Sequence, residues 1–161
     1  MRTKAPTRTD LVLGRTRLCT IDVGGHETAR AAHPWERFMD KDVGGVVFVV
    51  DAAAPARLPQ ARALLSQVMQ NEVLGGRVPV VVLGNKIDLG EALSEGALRA
   101  GLGIEQHLEI RGDMAAGAAA AVNKPGTEGA ERGRPVKVFM CSFVSKMGYG
   151  DGLVWLMDNF K

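Results

Sequence analysis

The chain has 161 residues, of which 46% are hydrophobic and 24% are charged, and its formal net charge is +2. This length and composition fit one globular domain. So small a charge, without a Lys/Arg-rich block or a set of stacking aromatic residues, argues against nucleic-acid binding. No apolar run reaches the about 18 residues that a membrane-spanning helix needs. The two cysteines, Cys19 and Cys141, fall in predicted strands or at their ends, which favours buried thiols over a disulfide or metal pair.

The first forty residues predict a β-hairpin followed by an interrupted helix. Residues 9–13 and 16–21 have the composition of two strands, and Gly14 supplies the turn between them. Residues 28–39 have the polar composition of a short helical stretch. Pro34 within it predicts a break, because proline cannot donate the helical hydrogen bond.

The rest of the chain alternates predicted strands with predicted helices. The strands cover residues 45–51, 78–84 and 136–141, and the helices cover residues 58–73, 94–102 and 150–160. The apolar, β-branched strands are typical of a buried parallel sheet, and Ser94 is the predicted N-cap of its helix. Residues 112–134 are rich in Ala and Gly and predict an exposed loop. This order predicts an α/β fold in a single domain over residues 1–161, with a mainly parallel sheet and helices on both faces.

The tetrapeptide Asn85-Lys86-Ile87-Asp88 directly follows the predicted strand 78–84. Open α/β sheets bind ligands at the carboxyl ends of their strands. A carboxylate there accepts two N–H donors from the edge of guanine, an amide bonds to the ring, and a lysine stem lies along its face. The alternative is a chance N-K-x-D in a loop, and the position after a strand favours the guanine interpretation.

A second motif, Asp22-Val23-Gly24-Gly25-His26-Glu27, follows the predicted strand 16–21. In a phosphate site Asp22 would hold Mg²⁺ through a water, and the two glycines would let a backbone N–H approach a terminal phosphate. His26 would then orient an attacking water. The alternative is a Gly-Gly turn with a surface histidine. The downstream N-K-x-D motif favours the phosphate site.

Together these motifs resemble the small GTPases, and within them the secretion-associated Ras-related (Sar) type, over about Pro6–Phe160. Pro6-Thr7 looks like the effector loop, and Asp22–Arg30 looks like the second switch. His26, where most relatives carry Gln, favours the Sar branch over the ADP-ribosylation factors. The most Sar-specific part of the resemblance is Val138–Ser142 followed by Lys146–Gly152 and Trp155.

The resemblance implies a GTP-hydrolysing switch that alternates between GTP and GDP, uses Mg²⁺ and initiates COPII coat assembly for transport from the endoplasmic reticulum to the Golgi. The implied guanine-nucleotide contacts are Gly25, Asn85, Lys86, Asp88, Cys141, Ser142 and Phe143, the implied Mg²⁺ ligands are Thr7 and Asp22, and the implied catalytic residue is His26. The implied partners are guanine nucleotide, the COPII inner-coat proteins, an exchange factor and a GTPase activator, with no nucleic acid. The implied location is the cytosolic face of endoplasmic reticulum and Golgi membranes, with peripheral attachment through a segment that these residues do not contain.

The sequence contains no Gly-x-x-x-x-Gly-Lys-Ser/Thr phosphate loop. The resemblance implies that a membrane-inserting helix, the first strand, the phosphate loop and the first helix precede the effector loop, so a truncated chain is the simplest explanation. In the family fold the first strand lies between the hairpin and strand 45–51. Without it, either these two pair directly or their backbone groups lose partners. Two other functions stay open: an interaction module that binds nucleotide poorly, and an unrelated doubly wound enzyme.

Overall fold

The computed structural model describes residues 5–14, 16–25, 27–32, 34–40, 42–74, 76–105 and 134–160. The chain forms two compact units, Met1–Lys41 and Asp42–Lys161. The strands form one two-stranded and one three-stranded sheet. The predicted loop 112–134 lies outside the described residues except for Arg134, and the single domain over residues 1–161 stays a prediction. No helix in the described ranges is long and apolar enough to cross a membrane.

The first unit contains the predicted hairpin. Strands β1 (Thr7–Leu13) and β2 (Thr16–Asp22) pair antiparallel across the turn at Gly14, which confirms the prediction. The predicted burial of Cys19 is wrong: its thiol is exposed, and the Arg8 Nε–H donates to Cys19 Sγ at 2.8 Å. The physical reason is that no residue of β2 is fully buried, so strand composition does not imply burial here.

The interrupted helix is also confirmed. Helix α1 (Glu27–Ala32) ends before Pro34, and a separate 3₁₀ turn follows over Trp35–Phe38. Pro34 stands immediately before that turn with an extended backbone, ψ 125°. The proline therefore separates the two pieces, as its missing N–H requires.

The second unit is built on a parallel sheet of β3 (Val46–Asp51), β4 (Val80–Asn85) and β5 (Val136–Met140), in the order β3-β4-β5. Both pairings are parallel. The central strand β4 is fully buried from Val80 to Gly84, which agrees with its continuous apolar run. The carboxyl ends of the three strands consequently meet at one edge of the sheet.

Helices cover both faces of this sheet, as the sequence predicts. On one face are α2 (Leu58–Gln70) and α3 (Glu95–Leu102), and on the other is α4 (Tyr149–Asp158). Helix α3 begins at the predicted cap, where the Ser94 hydroxyl accepts the Ala97 N–H at 3.3 Å. The fold class is therefore confirmed within this unit.

The edge strand β3 departs from the prediction of a fully buried strand. Val47 is 43% exposed and Val49 is 50% exposed. Their register partners on β4, Val81 and Leu83, are buried on the same face beneath α4. The difference arises because α4 packs over β4 and β5 and leaves this part of the edge strand uncovered.

Candidate functional site

The two sequence segments predicted to read guanine meet at the carboxyl ends of β4 and β5. The Phe143 N–H donates to Asn85 Oδ1 at 3.0 Å. The Cys141 N–H donates to the Gly84 carbonyl at 2.8 Å, and the Ile87 N–H donates to the Cys141 carbonyl at 3.3 Å. The side chain of Asn85 therefore connects the N-K-x-D segment to the loop that follows β5.

Gly84 allows this edge of the sheet to be densely packed. A Cβ added at Gly84 would lie 2.5 Å from Leu98 Cδ2 and 2.8 Å from Met140 Sδ. Both distances are shorter than a van der Waals contact between heavy atoms. The absence of a side chain at Gly84 thus lets α3 and β5 approach the strand that carries Asn85.

Lys86 and Asp88 have different environments within one turn. Lys86 has a left-handed backbone, φ +74°, and its ammonium lies 2.5 Å from Asp51 Oδ2. The Leu89 N–H donates to the Lys86 carbonyl at 3.1 Å and closes the turn. Asp88 is exposed, and among the described residues its carboxylate has no hydrogen bond or ion pair. The carboxylate oxygens of Asp88 are therefore accessible, whereas the ammonium of Lys86 is already paired with Asp51.

The loop after β5 is closed on itself at Ser142, which is fully buried. The Ser142 N–H donates to the Met147 carbonyl at 3.0 Å, and the Ser142 hydroxyl accepts the Ser145 N–H at 3.0 Å. Gly148, at φ +83°, makes this closure possible, because a Cβ there would lie 2.1 Å from the Met140 carbonyl oxygen. The resemblance implies that Ser142 contacts guanine through its backbone N–H, and that N–H would then have to leave the Met147 carbonyl or be shared with it.

Cys141 and Phe143, on either side of Ser142, present different groups. Cys141 is buried in the cluster beneath α4, and burial raises the pKa of its thiol. The thiol is consequently neutral, and the residue contributes its backbone groups to the site. Phe143 is exposed, and its ring meets Tyr149 edge-on with 5.6 Å between centroids. Phe143 thus gives its backbone N–H to Asn85, while its ring packs against Tyr149 of α4.

The predicted Mg²⁺ ligands come together in the first unit. Thr7 and Asp22 are direct partners in the β1–β2 register, and both are exposed. A hydroxyl and a carboxylate are the oxygen ligands that Mg²⁺ prefers, and Mg²⁺ usually takes one or two protein carboxylates together with waters and phosphate oxygens. The described residues contain no larger metal-ligating cluster. The two side chains fit a site that water and phosphate would complete.

The remaining predicted residues of this region are Gly25 and His26. Gly25 is exposed in the loop after β2, and a Cβ added there would meet no atom within 4 Å. The backbone at Gly25 is therefore unobstructed on the side where a Cβ would stand. His26, the predicted catalytic residue, lies outside the described residues, so its role stays a prediction.

One residue of the site was not predicted to have a role. Asp51 ends β3 and is the register partner of Asn85. Asp51 and Lys86 are 35 positions apart in the sequence, and no local pattern connects them. The position of Asp51 could have indicated this contact, because an acidic residue at the end of one parallel strand lies beside the end of the neighbouring strand.

Comparisons with known proteins show the family of the chain. Residues 1–160 match the ADP-ribosylation factor family. The chain belongs to that family. The small COPII coat GTPase SAR1 of Giardia intestinalis is 36% identical over 154 residues, which cover 96% of this chain and 72% of the relative. The chain is therefore a small GTPase of the Arf/Sar family, and an unrelated enzyme with a chance N-K-x-D is excluded.

Other relatives match over different spans. SAR1 of Nicotiana tabacum is 28% identical over 99% of this chain and 75% of its own length. ADP-ribosylation factor-like protein 8c of Arabidopsis thaliana is 40% identical over 52% of this chain and 44% of its own length. The structure of the Arl6 small GTPase from Trypanosoma brucei with bound GppNp has a TM-score of 0.75 at 21% identity, covering 98% of this chain and 80% of that one. This last likeness establishes the small-GTPase fold.

Proposed function

We propose that this protein is a GTP/GDP switch of the Sar type that initiates COPII coat assembly for transport from the endoplasmic reticulum to the Golgi. The observation that carries the proposal is the junction of Asn85–Asp88 with Cys141–Phe143 at the carboxyl ends of β4 and β5. This is the edge at which α/β sheets bind nucleotides. The similarity to SAR1 of Giardia over 96% of the chain supports the Sar branch.

In this proposal the second unit reads the base. The exposed carboxylate of Asp88 accepts the two N–H donors on the guanine edge, and Asn85 bonds to the ring while holding Phe143. The stem of Lys86 lies along the ring face, and the backbone of Ser142 closes the pocket. Adenine presents no such pair of donors, so Asp88 selects guanine.

The first unit supplies the phosphate and metal contacts in this proposal. Thr7 and Asp22 would hold Mg²⁺, which neutralises phosphate charge when bound. The Gly25 N–H contacts the terminal phosphate, and His26 orients the attacking water. Loss of that phosphate removes the contacts of Thr7 and Gly25, so hydrolysis changes the conformation of both loops.

The proposed partners follow from the Sar assignment. They are the COPII inner-coat proteins, an exchange factor and a GTPase activator, which would supply an arginine to complete the hydrolytic site. The protein would act at the cytosolic face of endoplasmic reticulum and Golgi membranes as a peripheral protein. Coat recruitment and activator-stimulated hydrolysis would belong to the GTP-bound form, because only that form has both loops ordered by the terminal phosphate.

The experiment compares the 161-residue chain with the same chain extended by a Gly-x-x-x-x-Gly-Lys-Ser/Thr phosphate-loop segment. We expect the extended chain to bind fluorescent GDP with Mg²⁺, to prefer guanine over adenine nucleotides, and to recruit purified COPII inner-coat proteins to liposomes with GTP but not with GDP. Guanine binding without GTP-dependent recruitment would contradict the COPII role. No guanine preference would contradict the switch itself.

A second candidate is a non-catalytic interaction module, favoured by the missing phosphate-loop motif in these 161 residues. Most of the charge of a nucleotide is on its phosphates, and the predicted phosphate contacts of this chain are few. We therefore expect the unextended chain to retain labelled GTP weakly or not at all. Tight, Mg²⁺-dependent retention would contradict that expectation and indicate a phosphate site built from other residues.

A further inference from the structure

Asp51 connects the end of β3 to the N-K-x-D segment. Its Oδ2 accepts a charge-assisted hydrogen bond from Lys86 Nζ at 2.5 Å, and its Oδ1 accepts the Ala53 N–H at 3.1 Å. The backbone adds a second connection, because the Ala52 N–H donates to the Asn85 carbonyl at 2.8 Å. The carboxylate of Asp51 is therefore held by its own turn while it holds Lys86.

The contact with Asp51 restricts the side chain of Lys86. A lysine side chain has many rotamers, and ordering it costs conformational entropy. Lys86 follows the carboxyl end of β4 with a left-handed backbone, and its ammonium lies beside Asp51 at the end of β3. The methylene stem consequently spans the ends of two adjacent strands next to Asn85.

The ion pair has little effect on stability. The side chain of Lys86 is 48% exposed and that of Asp51 is 28% exposed, and exposed ion pairs of this kind stabilise a fold only slightly because water screens them. The main effect of the contact is therefore on the position of the Lys86 stem.

We propose that Asp51 is a positioning residue for guanine-nucleotide recognition, which fixes Lys86 so that its stem is in place before the base binds. This inference rests on the proposed function of Asn85–Asp88. A side chain that is ordered in advance loses less entropy when the ligand arrives, so the ion pair raises nucleotide affinity. Asp51 does not contact the edge of the base in this scheme, so it does not select between bases.

The test uses Asp51→Asn, Lys86→Ala and the double variant in the chain extended by the phosphate-loop segment, titrated with GDP and with xanthosine diphosphate. Asparagine keeps an oxygen for the Ala53 N–H and removes the charge that holds Lys86. We expect Asp51→Asn to weaken GDP binding by roughly 3- to 10-fold, the range for immobilising one long side chain. The double variant should bind no more weakly than Lys86→Ala, and the ratio of GDP to xanthosine diphosphate affinity should not change in Asp51→Asn.

The matched control is Glu95→Gln, which removes the exposed ion pair between Glu95 and Arg99 on α3 (3.6 Å) and should leave GDP affinity unchanged. The urea unfolding midpoint of Asp51→Asn should equal that of the parent. Equal GDP affinity in Asp51→Asn and the parent would overturn the inference and leave the proposed function standing. A loss of affinity accompanied by a matching loss of stability would also overturn it. If the extended parent chain binds no guanine nucleotide, the proposed function and the inference both fail.

Discussion

Replacing Gly84 with alanine should destabilise the second unit, because the new methyl group has no space. Its Cβ would lie 2.5 Å from Leu98 Cδ2 and 2.8 Å from Met140 Sδ, and Leu98 is completely buried. Adding a methyl group to a filled core costs about 1–3 kcal/mol. Alanine recovers roughly 0.5–1 kcal/mol because it is less flexible than glycine in the unfolded chain. We therefore expect a net loss centred on about 1 kcal/mol, and at most about 2.5 kcal/mol, in the free energy of unfolding.

Urea unfolding followed by circular dichroism measures this loss, and amide hydrogen exchange in β4 locates it. The matched control is Gly96→Ala in α3, where a Cβ would meet no atom within 4 Å. The control should gain up to about 1 kcal/mol from the better helix propensity of alanine. If Gly84→Ala is as stable as Gly96→Ala, the packing at the carboxyl end of β4 is looser than the structure indicates, and the role given to Gly84 is wrong.

Three further predictions address the base, the reaction and the core. In the extended chain, Asp88→Asn should shift preference from GTP toward xanthosine triphosphate in competition binding, and an unchanged preference would remove Asp88 as the base reader. His26→Gly should slow activator-stimulated hydrolysis by about 10²-fold or more while nucleotide affinity stays constant; the parent rate would contradict its role. Arg134 is 6% exposed, its Nη2 donates to the Asn71 carbonyl at 2.7 Å, and its buried Nε and Nη1 have no partner among the described residues. Burial lowers the pKa of Arg134. Arg134→Met should raise the free energy of unfolding by about 1 kcal/mol, whereas Arg134→Lys should not. A lower free energy of unfolding in Arg134→Met would contradict this prediction.

The features that the sequence predicts well depend on local rules. Pro34 interrupts the helical stretch because it lacks an N–H, and Ser94 begins α3 because its hydroxyl accepts the Ala97 N–H. The continuous apolar run of β4 predicts a strand buried on both faces, and the structure has one. In each case a few neighbouring residues contain the whole physical cause.

The features that the sequence does not predict depend on distant neighbours. An apolar strand can be recognised from its composition, but the helix that covers it cannot, so the exposure of Val47 and Val49 was not foreseen. Cys19 was expected to be buried for the same reason and is exposed. The contact between Asp51 and Lys86 joins residues on two strands, and only the parallel register brings them together.

Two side chains of the candidate site have hydrogen-bond partners within the protein, and a third has none among the described residues. Asn85 holds the Phe143 N–H, and Lys86 is held by Asp51, so both are fixed by the protein. Asp88 is exposed, and its carboxylate has no partner among the described residues. A side chain fixed by the protein can shape a pocket, but discrimination between bases requires acceptors that remain available to the ligand. Changes at Asn85 or Lys86 should therefore weaken guanine and xanthine nucleotides alike, whereas a change at Asp88 should reverse the preference between them.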